Sequence, residues 1–117
     1  MIGTFRLWLH RLAFGPVALL CAALPVAAED LPNIAITLKN HQFTPAEIHV
    51  PQGKAVILTI TNADPTPEEF DSSALKVEKV IAGNAQGVVH ISPLSPGRYD
   101  FIGEYHEETA KGQVIAE

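Results

Sequence analysis

The sequence predicts an all-β domain, a Greek-key β-sandwich or barrel, and two observations carry that expectation. Apolar residues recur with period two over nearly all of residues 29–117, the spacing that gives a strand one buried face. Between these runs stand turn formers set close together: Thr44-Pro45, Pro51-Gln52-Gly53, Asp64-Pro65-Thr66-Pro67, Gly83-Asn84, and Pro93 to Gly97. Several short strands divided by frequent turns close into a sandwich or barrel.

Residues 1–28 stand apart from that pattern. Arg6 and Arg11 give a positive front end, Leu12 to Leu24 is an apolar run, and Val26-Ala27-Ala28 sets small residues ahead of Glu29. These are the parts of a cleavable signal peptide, with cleavage expected after Ala28. The uncharged stretch ending at Ala28 is short for a bilayer span, is interrupted by Gly15, Pro16 and Pro25, and has no basic stop-transfer segment behind it. The expectation is export to a periplasm, with one domain over residues 29–117. Cleavage would remove the only Cys (Cys21), the only Met (Met1) and the only Trp (Trp8). No disulfide can then form, so apolar packing alone must stabilise the fold.

The strands follow in order. Ile34, Ile36 and Leu38 form the first alternating run; Ile48 and Val50 the next; then Val56, Leu58 and Ile60; Val89 and Ile91; and Tyr99 and Phe101, with a last strand after Gly112. The segment Glu68 to Leu75 fits no strand well and is expected to hold a short helical turn. Residues 29–117 carry 13 Asp and Glu against 6 Lys and Arg, a net charge of −7 with His neutral. Such a surface repels phosphate backbones, which excludes nucleic acid as a partner and favours cations. With no Cys after residue 28 and no Ser in a G-x-S-x-G setting, nucleophilic catalysis has no candidate residue.

Three segments carry more than architecture. Phe43-Thr44-Pro45-Ala46-Glu47-Ile48-His49-Val50-Pro51-Gln52-Gly53 comes first, then Asn62-Ala63-Asp64-Pro65-Thr66-Pro67-Glu68-Glu69-Phe70, then Gly97-Arg98-Tyr99-Asp100-Phe101-Ile102-Gly103-Glu104-Tyr105-His106. In that order and spacing they resemble the cupredoxin family. There F-x-P-x-x-I-x-V-x-x-G precedes N-x-D-x-x-P-H, and a closing G-x-Y-x-F-x-C-x-x-H-x-x-M-x-G supplies the remaining ligands. Set against that pattern, Glu68 stands at the first His position, Gly103 at the Cys, and Thr109-Ala110-Lys111 near the axial Met; His106 matches the second His. A blue-copper site depends on its Cys thiolate, and glycine has no side chain to coordinate with. Blue-copper electron transfer is therefore excluded.

The altered pattern, P-E-E-F-D-S with G-E-Y-H, is similar to the periplasmic cupredoxin-like subunits encoded beside bacterial high-affinity iron permeases. That resemblance implies a metal-binding protein assisting ferrous iron uptake, with copper as cofactor, iron as substrate ion and the permease as partner.

Five residues are the candidate ligands: His41, Glu68, Glu69, Glu104 and His106. His106 matches a ligand position and is flanked by Glu104, Glu107 and Glu108. Glu68 and Glu69 offer carboxylate oxygen, but adjacent residues of an extended segment face opposite ways and should not share one ion. His41, two residues before Phe43 at the end of the first strand, should point inward with it. Glu104 should face away from the interior unless the loop begins there. Asp64, Asp71, Ser72 and Ser73 read as turn or cap residues, and His49 and His90 as solvent-facing strand residues. Gly103 has two readings: it opens space beside His106 for a water or an ion, or it lets a neighbouring group approach closely. A His and carboxylate set suits Cu(II), Fe, Mn or Zn. The other function the sequence allows is a metal-free interaction module that meets a basic partner through its acidic loops.

Overall fold

A computed structural model describes residues 30–117, together with Gly3, Gly15 and Pro16. The expected signal peptide otherwise lies outside the described residues. Among the described residues, no helix is long and apolar enough to cross a membrane.

The same residues hold nine strands: β1 (Asn33–Lys39), β2 (Gln42–Thr44), β3 (Glu47–Val50), β4 (Val56–Asn62), β5 (Glu68–Ser72), β6 (Val77–Ile81), β7 (Gln86–Ile91), β8 (Gly97–Gly103) and β9 (Lys111–Ala116). A 3-10 turn, Glu104–His106, follows β8. The strands form two sheets, ordered β2-β1-β4-β7 and β3-β9-β8-β5-β6. The β1–β4 and β3–β9 pairs are parallel; the remaining pairs are antiparallel. The fold is the all-β sandwich the period-two pattern predicts.

Its core follows from that alternation. β4 buries Val56, Leu58 and Ile60 from one sheet, while Ile48, Phe70, Phe101 and Val114 enter from the other. Burying each such side chain stabilises the domain by roughly 1.5–3 kcal/mol. Phe43, Phe70 and Phe101 form an aromatic cluster: Phe43 meets the other two edge-on, at 6.1 and 5.2 Å between ring centroids. Edge-to-face contact at such separations is favourable beyond the area buried.

Two local expectations are corrected. Glu68 to Leu75 holds no helical turn at its start; Glu68–Ser72 is strand β5, so Asp71 lies within a strand and not in a turn. Ser72 closes β5 by accepting from the Leu75 N–H at 3.0 Å. The inward positions of β5 are Glu68, Phe70 and Ser72. Two polar residues on the buried face mask the alternation by which a strand is recognised. His41 does not end a strand either. With Asn40 it makes the two-residue turn of the β1–β2 hairpin, flanked by the Lys39–Gln42 pair. Both residues are left-handed, with φ of 51° and 56°, as a type I′ turn requires. His49 and His90 are exposed strand residues, as expected.

Candidate metal centre

The site begins with Asn62, the last residue of β4, which is fully buried. Its amide nitrogen donates to the carbonyls of Thr66, Ile81 and Ala82 at 2.9, 3.2 and 3.3 Å. Its amide oxygen accepts from the Asp64 N–H at 3.0 Å. These bonds fix the loop between β4 and β5 and aim the Asp64 carboxylate at the β1–β2 turn. There Asp64 accepts from the Asn40 N–H at 2.8 Å and the His41 N–H at 2.9 Å.

The histidine in that turn is unusual. The second position of a type I′ turn strongly favours glycine, and a bulkier residue there costs free energy that some other contact must offset. The Asp64 bonds do so. The His41 N–H hydrogen bond holds the Asp64 carboxyl below the usual carboxylate range; the Asn40 bond and the two nearby histidines add to this and burial opposes it. Asp64→Asn removes one of the two accepting oxygens and is expected to cost about 1–2 kcal/mol at neutral pH. The sign of its pH dependence follows from the lowered pKa. The contribution of Asp64 is present above its ordinary value of 3.8 and is lost as pH falls through the lower folded value. Melting curves of the two proteins should therefore lie apart at pH 7 and converge in strong acid; a constant gap would refute the assignment.

Opposite His41, Glu68 opens β5 and is only 2% exposed. One carboxyl oxygen accepts from the Tyr105 N–H at 2.8 Å and the Glu69 N–H at 3.1 Å. The other lies 2.5 Å from His106 Nδ1, within hydrogen-bond distance. The loop carrying His106 is closed by the Ala110 N–H, which donates to the His106 carbonyl, and the Gly103 N–H, which donates to the Ala110 carbonyl, both at 2.8 Å. The His41 and His106 rings stack at 3.5 Å with 12° between their planes. His41, Glu68 and His106 each present one ligand atom, all within 4.8 Å of one another. His41 Nδ1 is buried with no hydrogen-bond partner, its closest carboxylate being Asp64 at 3.4 Å. Buried polar atoms are nearly always satisfied, so this nitrogen stands out as unpartnered within the cluster of His41, Glu68 and His106. The side chains of His41 and His106 are 40% and 30% exposed, so the histidine edge of the cluster lies at the surface of the sandwich.

Gly103 is resolved by the same geometry. A Cβ there would stand 2.7 Å from Ala110 Cβ and 2.8 Å from Glu68 Cδ. The volume beside His106 is thus filled by the Glu68 carboxyl group rather than left open. Position 103 without a side chain and the carboxylate at position 68 therefore share one volume.

Glu69 and Glu104 lie elsewhere. With Glu78 they form a second group of carboxylates within 4.8 Å of one another. Strand alternation explains the split, since Glu68 is buried and Glu69 takes the opposite face of β5. Desolvation and the hydrogen bond and charge of Glu104 push the Glu69 carboxyl above its usual range, with smaller pushes from Glu78 and Asp71. Glu78 comes alongside through the β5–β6 pairing, where it sits opposite Asp71; only recognition of β5 as a strand would have signalled it.

A cupredoxin-like domain matches residues 11–116. The chain belongs to that family. Across 87 residues this cupredoxin-like chain is 37% identical to the uncharacterized protein RP394 of Rickettsia prowazekii (strain Madrid E), covering 74% of this chain and 70% of that one. Among solved structures it is similar to the metal binding domain of the Streptococcus pneumoniae D39 Cu(I) exporting P-type ATPase CopA, determined with Cu(I). The TM-score is 0.65 at 21% identity, over 73% of this chain and 84% of that domain. It is also similar to a single-substitution mutant of amicyanin with Cu(I), at TM-score 0.59 and 20% identity over 73% and 82% of the two chains. A purple cupredoxin from Nitrosopumilus maritimus gives 0.56 at 17% identity, over 72% of this chain and 99% of that one. At these identities the structures share the fold with the present chain.

The copper associated with this fold can be tested against the residues present. A thiolate site does not fit, because residues 30–117 contain no Cys. A nitrogen and oxygen site fits: His41 and His106 each supply an imidazole and Glu68 a fixed carboxyl group, a donor set suited to first-row divalent ions.

Proposed function

We propose that this cupredoxin-like protein binds copper through His41, Glu68 and His106 and assists ferrous iron uptake through an iron permease, working as an exported periplasmic protein. The observation that carries the metal-binding reading is the gathering of one ligand atom each from His41, Glu68 and His106 within 4.8 Å of one another. Bound copper would supply a Lewis-acid centre. Around it the chain's own groups have separate tasks: His41 and His106 donate nitrogen, Glu68 donates oxygen and offsets charge, and Asp64 holds His41 through the turn backbone. The iron-uptake reading is supported by the resemblance of P-E-E-F-D-S and G-E-Y-H to subunits that accompany iron permeases.

Titration of the protein with Cu(II), beside a His106→Ala variant, tests the site. The expected result is saturable one-to-one binding that weakens at least about 100-fold in the variant, since losing a direct ligand should exceed the roughly 10–100-fold cost of losing an outer-shell partner. Absence of saturable binding would refute the metal centre. Uptake of labelled ferrous iron tests the cellular role: cells producing only His106→Ala should accumulate iron as slowly as cells lacking the protein.

A further inference from the structure

The donors at this centre differ in kind from those that hold Cu(I). We propose that the His41–Glu68–His106 site is selective for Cu(II) over Cu(I), and that Glu68 sets the selectivity. The inference rests on the metal-binding reading above and deepens it, because it names the oxidation state the protein takes and the residue that chooses it.

Three observations carry it. First, residues 30–117 contain no sulfur: the only Cys and the only Met are Cys21 and Met1. Thiolate and thioether are the soft donors that select Cu(I), so the folded domain has none to offer. Second, the third donor is a carboxyl oxygen, a hard donor that favours the more highly charged ion. It cannot swing aside, because two backbone N–H groups hold one of its oxygens and its carbon packs against the space above Gly103. Third, without sulfur Cu(I) favours two imidazoles placed end to end on opposite sides of the ion. The two rings here are stacked in near-parallel planes at 3.5 Å. An in-line arrangement would require them to part, and the backbone of His41 is pinned by the Asp64 bond to its N–H. Cu(II) also requires the rings to tilt, because each lone pair lies in its ring plane, but a tetragonal site takes the two nitrogens side by side with a carboxyl oxygen, a smaller movement than an in-line pair demands.

The consequence for function is direct. A site that holds Cu(II) far more tightly than Cu(I) has a lowered reduction potential and is poorly suited to relay electrons. It captures and presents the oxidised ion.

The test is competition for each oxidation state, using the full chain carrying Cys21→Ser so that the thiol outside the domain does not contribute. Cu(II) is measured against nitrilotriacetate and Cu(I) against bicinchoninate under anaerobic reducing conditions. The expected dissociation constant for Cu(II) is at least about 100-fold below that for Cu(I), which corresponds to a couple lowered by about 120 mV at ~59 mV per tenfold. Glu68→Gln should narrow the ratio at least about tenfold in protein whose circular dichroism remains that of the parent. Equal or tighter Cu(I) binding would overturn the selectivity. An unchanged ratio in folded Glu68→Gln would overturn the role of Glu68. Failure to bind either ion would instead overturn the metal-binding reading, and this inference with it. Should Glu68→Gln not fold, the ratio for the parent chain decides the selectivity alone.

Discussion

Glu68→Ala is expected to lower stability by about 2–4 kcal/mol and to abolish copper binding together. Glu68 is charge-bearing by type yet almost fully enclosed, so its carboxyl group must be supported by hydrogen bonds to be tolerated there. It accepts from two backbone N–H groups and meets His106. Truncation leaves both donors and the imidazole without that partner, at roughly 1–3 kcal/mol for a buried group left unsatisfied, and opens a cavity beside Gly103. For a domain of this size, each kcal/mol moves the melting temperature by roughly 4–8 °C. Calorimetry should therefore show a fall of about 10 °C or more, whereas Glu68→Gln, which keeps an acceptor and the volume, should fall by less. A melting temperature within about 2 °C of the parent would mean that solvent or a shifted backbone satisfies these groups, and that Glu68 does not organise the site.

Gly103→Ala tests the reciprocal half of the same packing. The backbone at Gly103 has φ −92° and ψ 105°, which any residue can adopt, so glycine is required for space and not for conformation. The added methyl would meet Ala110 and Glu68 at separations well inside contact distance. Overpacking of this kind costs about 1–3 kcal/mol, readable from urea unfolding midpoints. In a Glu68→Ala background part of the conflict disappears, so the cost of Gly103→Ala should shrink by at least about 0.5 kcal/mol, the scale on which contacting residues couple. Additive effects would show that the two positions do not share one volume. For the same reason Gly103→Cys alone should not install a thiolate site: the room for its sulfur is already taken by the carboxyl group.

Much of the architecture could be read before any coordinates. The alternation of Ile36 and Leu38, or of Val56, Leu58 and Ile60, declares an inward face because apolar burial and a strand's two-residue repeat act on the same positions. β5 escaped that reading, since burial there includes Glu68 and Ser72, and a polar residue enters a core only where tertiary partners satisfy it. Those partners are remote in sequence: Tyr105 for Glu68, and the Asp100 carbonyl for Ser72. His41 was a candidate ligand, but its place in a type I′ turn was not evident, because Asn-His is a poor signal for a turn that usually asks for glycine. The stabilising carboxylate, Asp64, lies 23 residues away.

The sequence by itself determined the all-β class, the absence of sulfur donors after residue 28, and hence the exclusion of a blue-copper centre. These depend on residue type and local period alone. Only the tertiary structure decided which of five candidate ligands meet. It gathered His41, Glu68 and His106 into one cluster, put Glu69 and Glu104 with Glu78 in a separate group, and filled the space at Gly103 with the Glu68 carboxyl. Coordination depends on distances between side chains held by a hairpin turn, a strand and a 3-10 turn, and sheet pairing sets those distances across intervals that no local pattern encodes.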